Sequence, residues 1–182
     1  MASQGVTLLV LCLFSSVAQK GYAARPGGVT QLVKNACGKA PFVELCIRTL
    51  TSDAGAGKAD LRGLAGTAVK AAAKSGANTS EYIAGLLNGQ VEDPSLQQCL
   101  SDCSDSYVDA VEQLEDSVAA LDSGGFADAK TWVAVAVVDT ETCREGCKGV
   151  HGSQGVALLK KNEHDGQLCA NALAITNLMS TA

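Results

Sequence analysis

The sequence predicts an all-α protein, a set of antiparallel helices packed around one core and stapled by disulfides. Three observations carry that expectation. The chain has 182 residues, with aromatics at only 4% and 3 prolines, a composition suited to closely packed, unbroken helices. No segment alternates polar and apolar residues with the period of a strand, whereas several run at helical spacing and are joined by short links. Finally, Cys99 and Cys103 stand four apart, and Cys143 and Cys147 repeat that spacing.

The elements follow in order. Val29 to Ala36 is a short helix, and Cys37-Gly38-Lys39-Ala40-Pro41 is a turn. Pro41 suits the first position of the next helix, where a missing N–H costs nothing. That helix runs to about Ser52, ahead of the Gly-rich link TSDAGAGKAD. A long helix of small residues spans Ala59 to about Asn88, with Gly76 as a candidate kink because glycine weakens a helix interior. Asp93 is a candidate N-cap and Pro94 a first helical residue for a helix to Leu121. The stretch DSGG ends it, Phe126 to Cys147 forms the next helix, and KGVHGSQG links it to the last. The last helix lies between Val156 and Met179, with an irregularity expected at NEHDG.

Near the N-terminus, VTLLVLCLFSSVA is apolar over the length of a signal peptide and too short for a membrane span. Residues 1–24 are therefore expected to be a secretory leader, cut after Ala18 or at Ala23 or Ala24, with residues 25–182 as the mature domain. No later stretch is apolar enough to anchor the chain in a bilayer, so an extracellular location is expected. The leader holds one base, Lys20, and no acid, so the mature chain is one unit more negative than the whole chain's −5. That balance argues against nucleic acid or anionic lipid as a partner and fits a partner with a positive surface. Of the 8 cysteines, the leader takes Cys12. The other seven, in an oxidising compartment, imply three disulfides and one thiol.

Antiparallel neighbours keep a constant sum of residue numbers, and the pairs 103/143 and 99/147 share one sum. The two cysteine pairs therefore form two rungs, one helical turn apart. Closing the 103–143 loop contributes about 4 kcal/mol on the chain-entropy account, and the second rung adds less because the first already tethers those ends. Four thiolates at this spacing could also hold zinc, but an oxidising compartment favours bridges. A bridge from Cys99 to Cys103 within one helix would be strained. Cys37 and Cys46 are left to pair across the Pro41 turn, and Cys169, on an apolar helix, stays free and buried.

On a helical wheel, Leu96, Leu100, Cys103, Tyr107, Ala110, Val111, Leu114, Val118 and Leu121 share one face. Asp102, Asp105, Asp109, Glu112 and Asp116 fall within about 80° on the other. Like charges four apart cost a few tenths of a kcal/mol per pair, and this helix has no Lys or Arg to relieve them. The stripe reads either as a solvated face or as a surface for a cationic partner.

Catalytic chemistry is not legible. The two histidines, His151 and His164, lie in or near linker-like sequence. There is no HExxH, no phosphate-binding glycine loop and no placeable nucleophile triad. No catalytic residue, cofactor or metal ligand is expected. Asn78-Thr79-Ser80 is a glycosylation sequon.

Taken together, these residues resemble the plant invertase and pectin methylesterase inhibitors, over roughly Val29 to Met179. The carriers are the cysteine-closed stretch CGKAPFVELCIRTLTSD and the series Cys103, Tyr107, Ala110 and Leu114. Thr142-Cys143 ends a helix as in that family, and Cys169 precedes an Ile-x-Asn-Leu in the last one. The resemblance implies an up-down-up-down four-helix bundle (residues 58–180) with a projecting N-terminal helical hairpin (residues 29–52). It agrees with the 37–46 and 103–143 bridges, whereas Cys99 and Cys147 lie outside the family's usual set.

The resemblance further implies a secreted, non-catalytic inhibitor that covers the substrate cleft of its target in a one-to-one complex. Asp105, Asp109, Glu112, Thr142 and Glu145 would meet the enzyme. Invertase inhibitors commonly carry Pro-Lys-Phe at the turn where this chain has Gly124-Gly125-Phe126. The target expected is therefore pectin methylesterase in the cell wall, with acid invertase, in wall or vacuole, as the alternative. A secreted helical ligand carrier or structural protein is a third reading, against which the Ala-rich, closely packing helices stand.

Overall fold

A computed structural model describes residues 29–53 and 55–179. The expected leader, residues 1–24 with Cys12, lies outside the described residues, as do 25–28 and 180–182 of the expected domain.

The described chain is helical throughout and has no strand. Its helices are α1 (Gln31–Cys37), α2 (Val43–Ser52), α3 (Leu61–Leu87), α4 (Pro94–Ser123), α5 (Phe126–Gly146) and α6 (Gly152–Leu178), with a 3₁₀ turn at Ala56–Lys58. Helices α3 to α6 form the four-helix bundle. Each packs on its chain neighbour, and α3 closes the ring on α6, so that α3 and α5 stand diagonally opposite. The α1–α2 hairpin packs on α3 and α6. Val33, Cys46 and Leu50 of the hairpin share one core with Leu64, Val69, Leu114, Val133 and Ile175 of the bundle.

Caps fix the ends of the long helices. The Asp60 carboxylate accepts from Gly63 N and starts α3. Asp93 accepts from Ser95 N, with Pro94 at the head of α4. At the other end Gly124 adopts the left-handed conformation (φ 84°) and Gly125 N bonds Ala120 O at 2.8 Å, the turn for which glycine is suited.

Three expectations need correction. Pro41 does not open α2, which begins at Val43. Asn171 of α6 clamps the backbone of Phe42 from both sides, accepting from its N–H and donating to its carbonyl, each at 3.0 Å. Phe42 is thereby held outside helical geometry (φ −117°, ψ 73°). Next, α3 runs through Gly76 unbroken. A Cβ there would stand 3.3 Å from a methyl of Val111, so this glycine serves the close approach of α4 rather than a kink. Last, α6 passes through NEHDG without interruption and starts earlier than expected, at Gly152.

The reason α6 stays regular is a buried polar cluster. Asp165 is 1% exposed and accepts from three hydroxyls: Ser75, Thr79 (2.6 Å) and Tyr107 (2.8 Å). Tyr107 Oη also lies 2.9 Å from Asn162 Oδ1, and its single proton serves one of the two oxygens at a time. Asn162 donates to Thr140 O at 3.0 Å. The Asp165 carboxylate thus ties α6 to α3 and α4, and Asn162 extends the cluster to α5. Burial, and then the charge of Asp165, push the Tyr107 phenol far above its ordinary range.

Candidate functional site: the acidic face of α4 and α5

The α4–α5 pair is built to hold a fixed register. Cys99 is bridged to Cys147 and Cys103 to Cys143, with Cα–Cα distances of 4.8 and 4.4 Å. The sulfurs of Cys99, Cys103 and Cys147 lie within 4.8 Å of one another, but each is engaged in a disulfide and offers no thiolate to a metal. The third bridge joins Cys37 to Cys46, and Cys169 is free and buried. Burial first, then Asp165 and Asp139, push its thiol up to about 12, which leaves it without nucleophilic character at physiological pH.

Along the α4–α5 seam small residues bring the helices close. Ser106 and Ser117 are buried there, where the helical wheel assigned only apolar residues. Their hydroxyls bond back into α4, to Asp102 O and Gln113 O, and that of Ser117 also reaches Ala129 O of α5 at 3.3 Å. Val111 and Val118, which the wheel placed in the core, are only half-buried.

The outward face of α4 carries Asp105, Asp109, Glu112 and Asp116, all exposed. Asp102 is half-buried and accepts from Gln98 at 2.7 Å. Among the described residues no ion pair reaches α4; the pairs lie at Glu44–Arg48 and along the end of α5. Among the described residues the stripe is therefore uncompensated.

The five residues singled out from the sequence do not behave alike. The register set by the bridges puts Asp105 and Asp109 beside the turns of α5 that hold Thr142 and Asp139. Thr142 is exposed, its hydroxyl bonded back to Val138 O at 2.9 Å. Glu112 turns the other way and lines the α3–α4 groove with Ala77, Ser80, Glu81 and Val108. Glu145 is exposed but neutralised, flanked by Arg144 at 2.8 Å and by Lys148. Arg144 also pairs with Glu141 and holds that carboxyl below its ordinary range.

Two features of this face escaped the sequence reading. Val135, Val138, Asp139 and Thr142 follow one another at short helical spacing, so they share one side of α5. Val138 is 60% exposed and Val135 39%. Asp139 carries a buried carboxylate oxygen with no hydrogen-bond partner. Burial first, and Asp109 second, raise its carboxyl above the ordinary value. The register of the cysteines could have found it, because that register brings positions 109 and 139 within one turn of each other. The face thus combines free carboxylates on α4 with exposed valines and an unsatisfied carboxylate on α5, a mixture suited to recognising a cationic protein surface.

Comparison with known proteins gives the frame for that face. A pectinesterase inhibitor of Actinidia deliciosa is 29% identical over 177 residues, covering 96% of this chain and 92% of that protein. A protein of Platanus orientalis named as a candidate invertase inhibitor is 32% identical over 138 residues, 75% of this chain and 79% of its own. The crystal structure of a mutant form of an Arabidopsis pectin methylesterase inhibitor superposes with a TM-score of 0.71 at 22% identity, covering 82% of this chain and 97% of that one, a likeness of fold. The family model of plant invertase/pectin methylesterase inhibitors matches residues 31–175. This chain belongs to the plant invertase/pectin methylesterase inhibitor family, a family of inhibitor proteins.

Proposed function

We propose that this protein inhibits a pectin methylesterase by docking the α4–α5 face over the enzyme's substrate cleft in a one-to-one complex. The observation that carries the proposal is the uncompensated acidic stripe, with Asp105 and Asp109 exposed and free of ion pairs. Such charges repel one another on an isolated helix and gain only when a positive surface meets them. An enzyme acting on an anionic polysaccharide needs basic groups near its cleft, and these are the natural partners. Thr142 contributes at the α5 side, while Glu112 and Glu145 sit at the margins.

The mature inhibitor comprises residues 25–182, with hairpin 29–52 and bundle 58–180, and is secreted to the cell wall. Among the described residues no helix is long and apolar enough to cross a membrane. The turn Gly124-Gly125-Phe126 supports the pectin methylesterase branch. Acid invertase, in wall or vacuole, is the second reading, supported by the name of the Platanus relative. Inside the core, the void lined by Leu50, Ala68, Leu168 and Ile175 is about 10 Å³, room for one water at most; the wider spaces beside Glu112 and beside Asn78 are open surface grooves and not enclosed ligand cavities.

Titration of the pure protein against a pectin methylesterase and an acid invertase, side by side, tests the proposal. Saturable inhibition of the methylesterase at one equivalent is expected. Inhibition of invertase alone transfers the assignment to the other branch.

A further inference from the structure

Two residues of α3 have no structural task. Asn and Ser are poorer helix formers than Ala, yet Asn78 and Ser80 sit deep inside a 27-residue helix. Among the described residues neither side chain has an internal partner. Thr79 between them gives its hydroxyl to Asp165, as does Ser75 one turn earlier. The hydroxyls of Thr51, Ser123, Thr131 and Thr142 bond back to their own helix; that of Ser80, like those of Ser101 and Ser104, does not. Asn78 is exposed, at the rim of an open groove of about 280 Å³ shared with Lys160, Lys161 and His164 of α6.

We propose that Asn78 is an N-glycosylation site and that its glycan rises over the α3–α6 groove. Asn-Thr-Ser supplies the acceptor amide and the hydroxyl two residues on, with no proline between them. Three disulfides place folding in the oxidising compartment where this modification is made. The chain is modified as it enters that compartment, before α3 forms, so helical geometry is no barrier. The co-reactant is a lipid-pyrophosphate-linked oligosaccharide. Asn78 Nδ2 attacks the anomeric carbon of its reducing-end N-acetylglucosamine and forms the N–C bond. The bond from that carbon to the pyrophosphate breaks, lipid pyrophosphate leaves with the electron pair, and the amide gives up one proton. Once attached, the sugar hydroxyls face Lys160, Lys161 and His164, on the side of α3 away from the α4–α5 seam. The modification therefore leaves the acidic face open. That last clause rests on the proposed function; the modification does not.

The full chain secreted from plant cells, analysed by peptide mapping, decides the modification. The expected result is a glycopeptide containing Asn78. An N-glycosidase acting in isotopically heavy water should release the glycan and leave a labelled aspartate at that position. The accompanying gel shift should be lost in N78Q and in S80A and kept in S80T. An unmodified Asn78 peptide as the only form in the secreted wild type overturns the proposal. For the face, glycosylated and enzymatically deglycosylated protein should inhibit pectin methylesterase equally. Inhibition only after deglycosylation would show that the glycan covers the docking surface, and would overturn its placement. If neither form inhibits, the assigned target fails while the glycopeptide still reports on Asn78.

Discussion

The α4–α5 and α3–α6 pairs solve the same packing problem by different means. Helices α4 and α5 are joined by a tight glycine turn and clamped at their open end by two disulfides. Helices α3 and α6 lie far apart in the chain and have no covalent link; the Asp165 cluster holds them. The surfaces differ as well. The α4–α5 side presents Asp105, Asp109 and Asp116, while Lys160, Lys161 and His164 rim the α3–α6 groove. Covalent clamping lets a helix carry unrelieved like charges without fraying or slipping. The α3–α6 pair, held by apolar packing and the buried polar cluster without a covalent link, carries no such stripe. The rigid side is the one to place against a partner, and the other side is where a glycan does no harm.

The comparison breaks most sharply by charge reversal. Asp105→Lys with Asp109→Lys should weaken inhibition of pectin methylesterase by roughly 100-fold or more, as when charge pairs at an interface are lost. Melting should shift by less than about 0.5 kcal/mol, because both residues are exposed. Lys160→Glu with Lys161→Glu is the matched control and should leave inhibition nearly unchanged. Equal potency of the two variants in a titration assay would reduce the stripe to a solvated face. Association of the wild type should also slow as salt rises, since charges at an interface rim act on encounter.

Smaller effects come from the clamps. Replacing Cys99 and Cys147 together by Ala should cost about 1–2 kcal/mol and leave a folded, active inhibitor. The 103–143 bridge by itself closes a loop of sequence separation 40, about 4 kcal/mol on the chain-entropy account. Thermal melts would read the double variant as a fall of roughly 2–8 °C. A double variant that fails to fold would mean that the outer rung, not the inner, is the main constraint.

In the Asp165 cluster, Tyr107→Phe on α4 should cost about 1–1.5 kcal/mol in urea unfolding, because it leaves Asp165 with two donors in place of three and Asn162 without its hydroxyl. A neutral result would mean that Ser75 and Thr79 alone satisfy the carboxylate.

The smallest effect is a gain. Asp139 has a folded pKa raised above its unfolded one, burial first and Asp109 second. Its ionisation therefore costs nothing below the unfolded value. The cost grows as pH rises through the mildly acidic range and is complete above the folded value. Asp139→Asn should raise stability by less than about 1 kcal/mol near neutrality, since the group is partly solvated. The gain should vanish below the ordinary carboxylate range. Melting curves at several pH values, with the same gain at every pH, would refute that origin.

The sequence by itself determined the helical class, the ends of α4 and the register of α4 on α5. These depend on local rules: Asp93 and Pro94 start a helix, Gly124 ends one, and cysteines four apart on facing helices share one register. It also determined that α4 has a charged face, because periodicity needs no partner to be read. Tertiary structure decided the rest. Phe42 stays out of α2 because Asn171, 129 positions on, holds its backbone. NEHDG stays helical because Asp165 finds hydroxyls on α3 and α4. Ser106 and Ser117 are core residues because the two helices approach closely there. Glu145 is neutralised by its salt bridges, and Asp139 is left with an oxygen no donor reaches. Each of these depends on which distant groups meet. A hydrogen bond or a charge has an energy only relative to its neighbours, and folding, not spacing along the chain, chooses the neighbours.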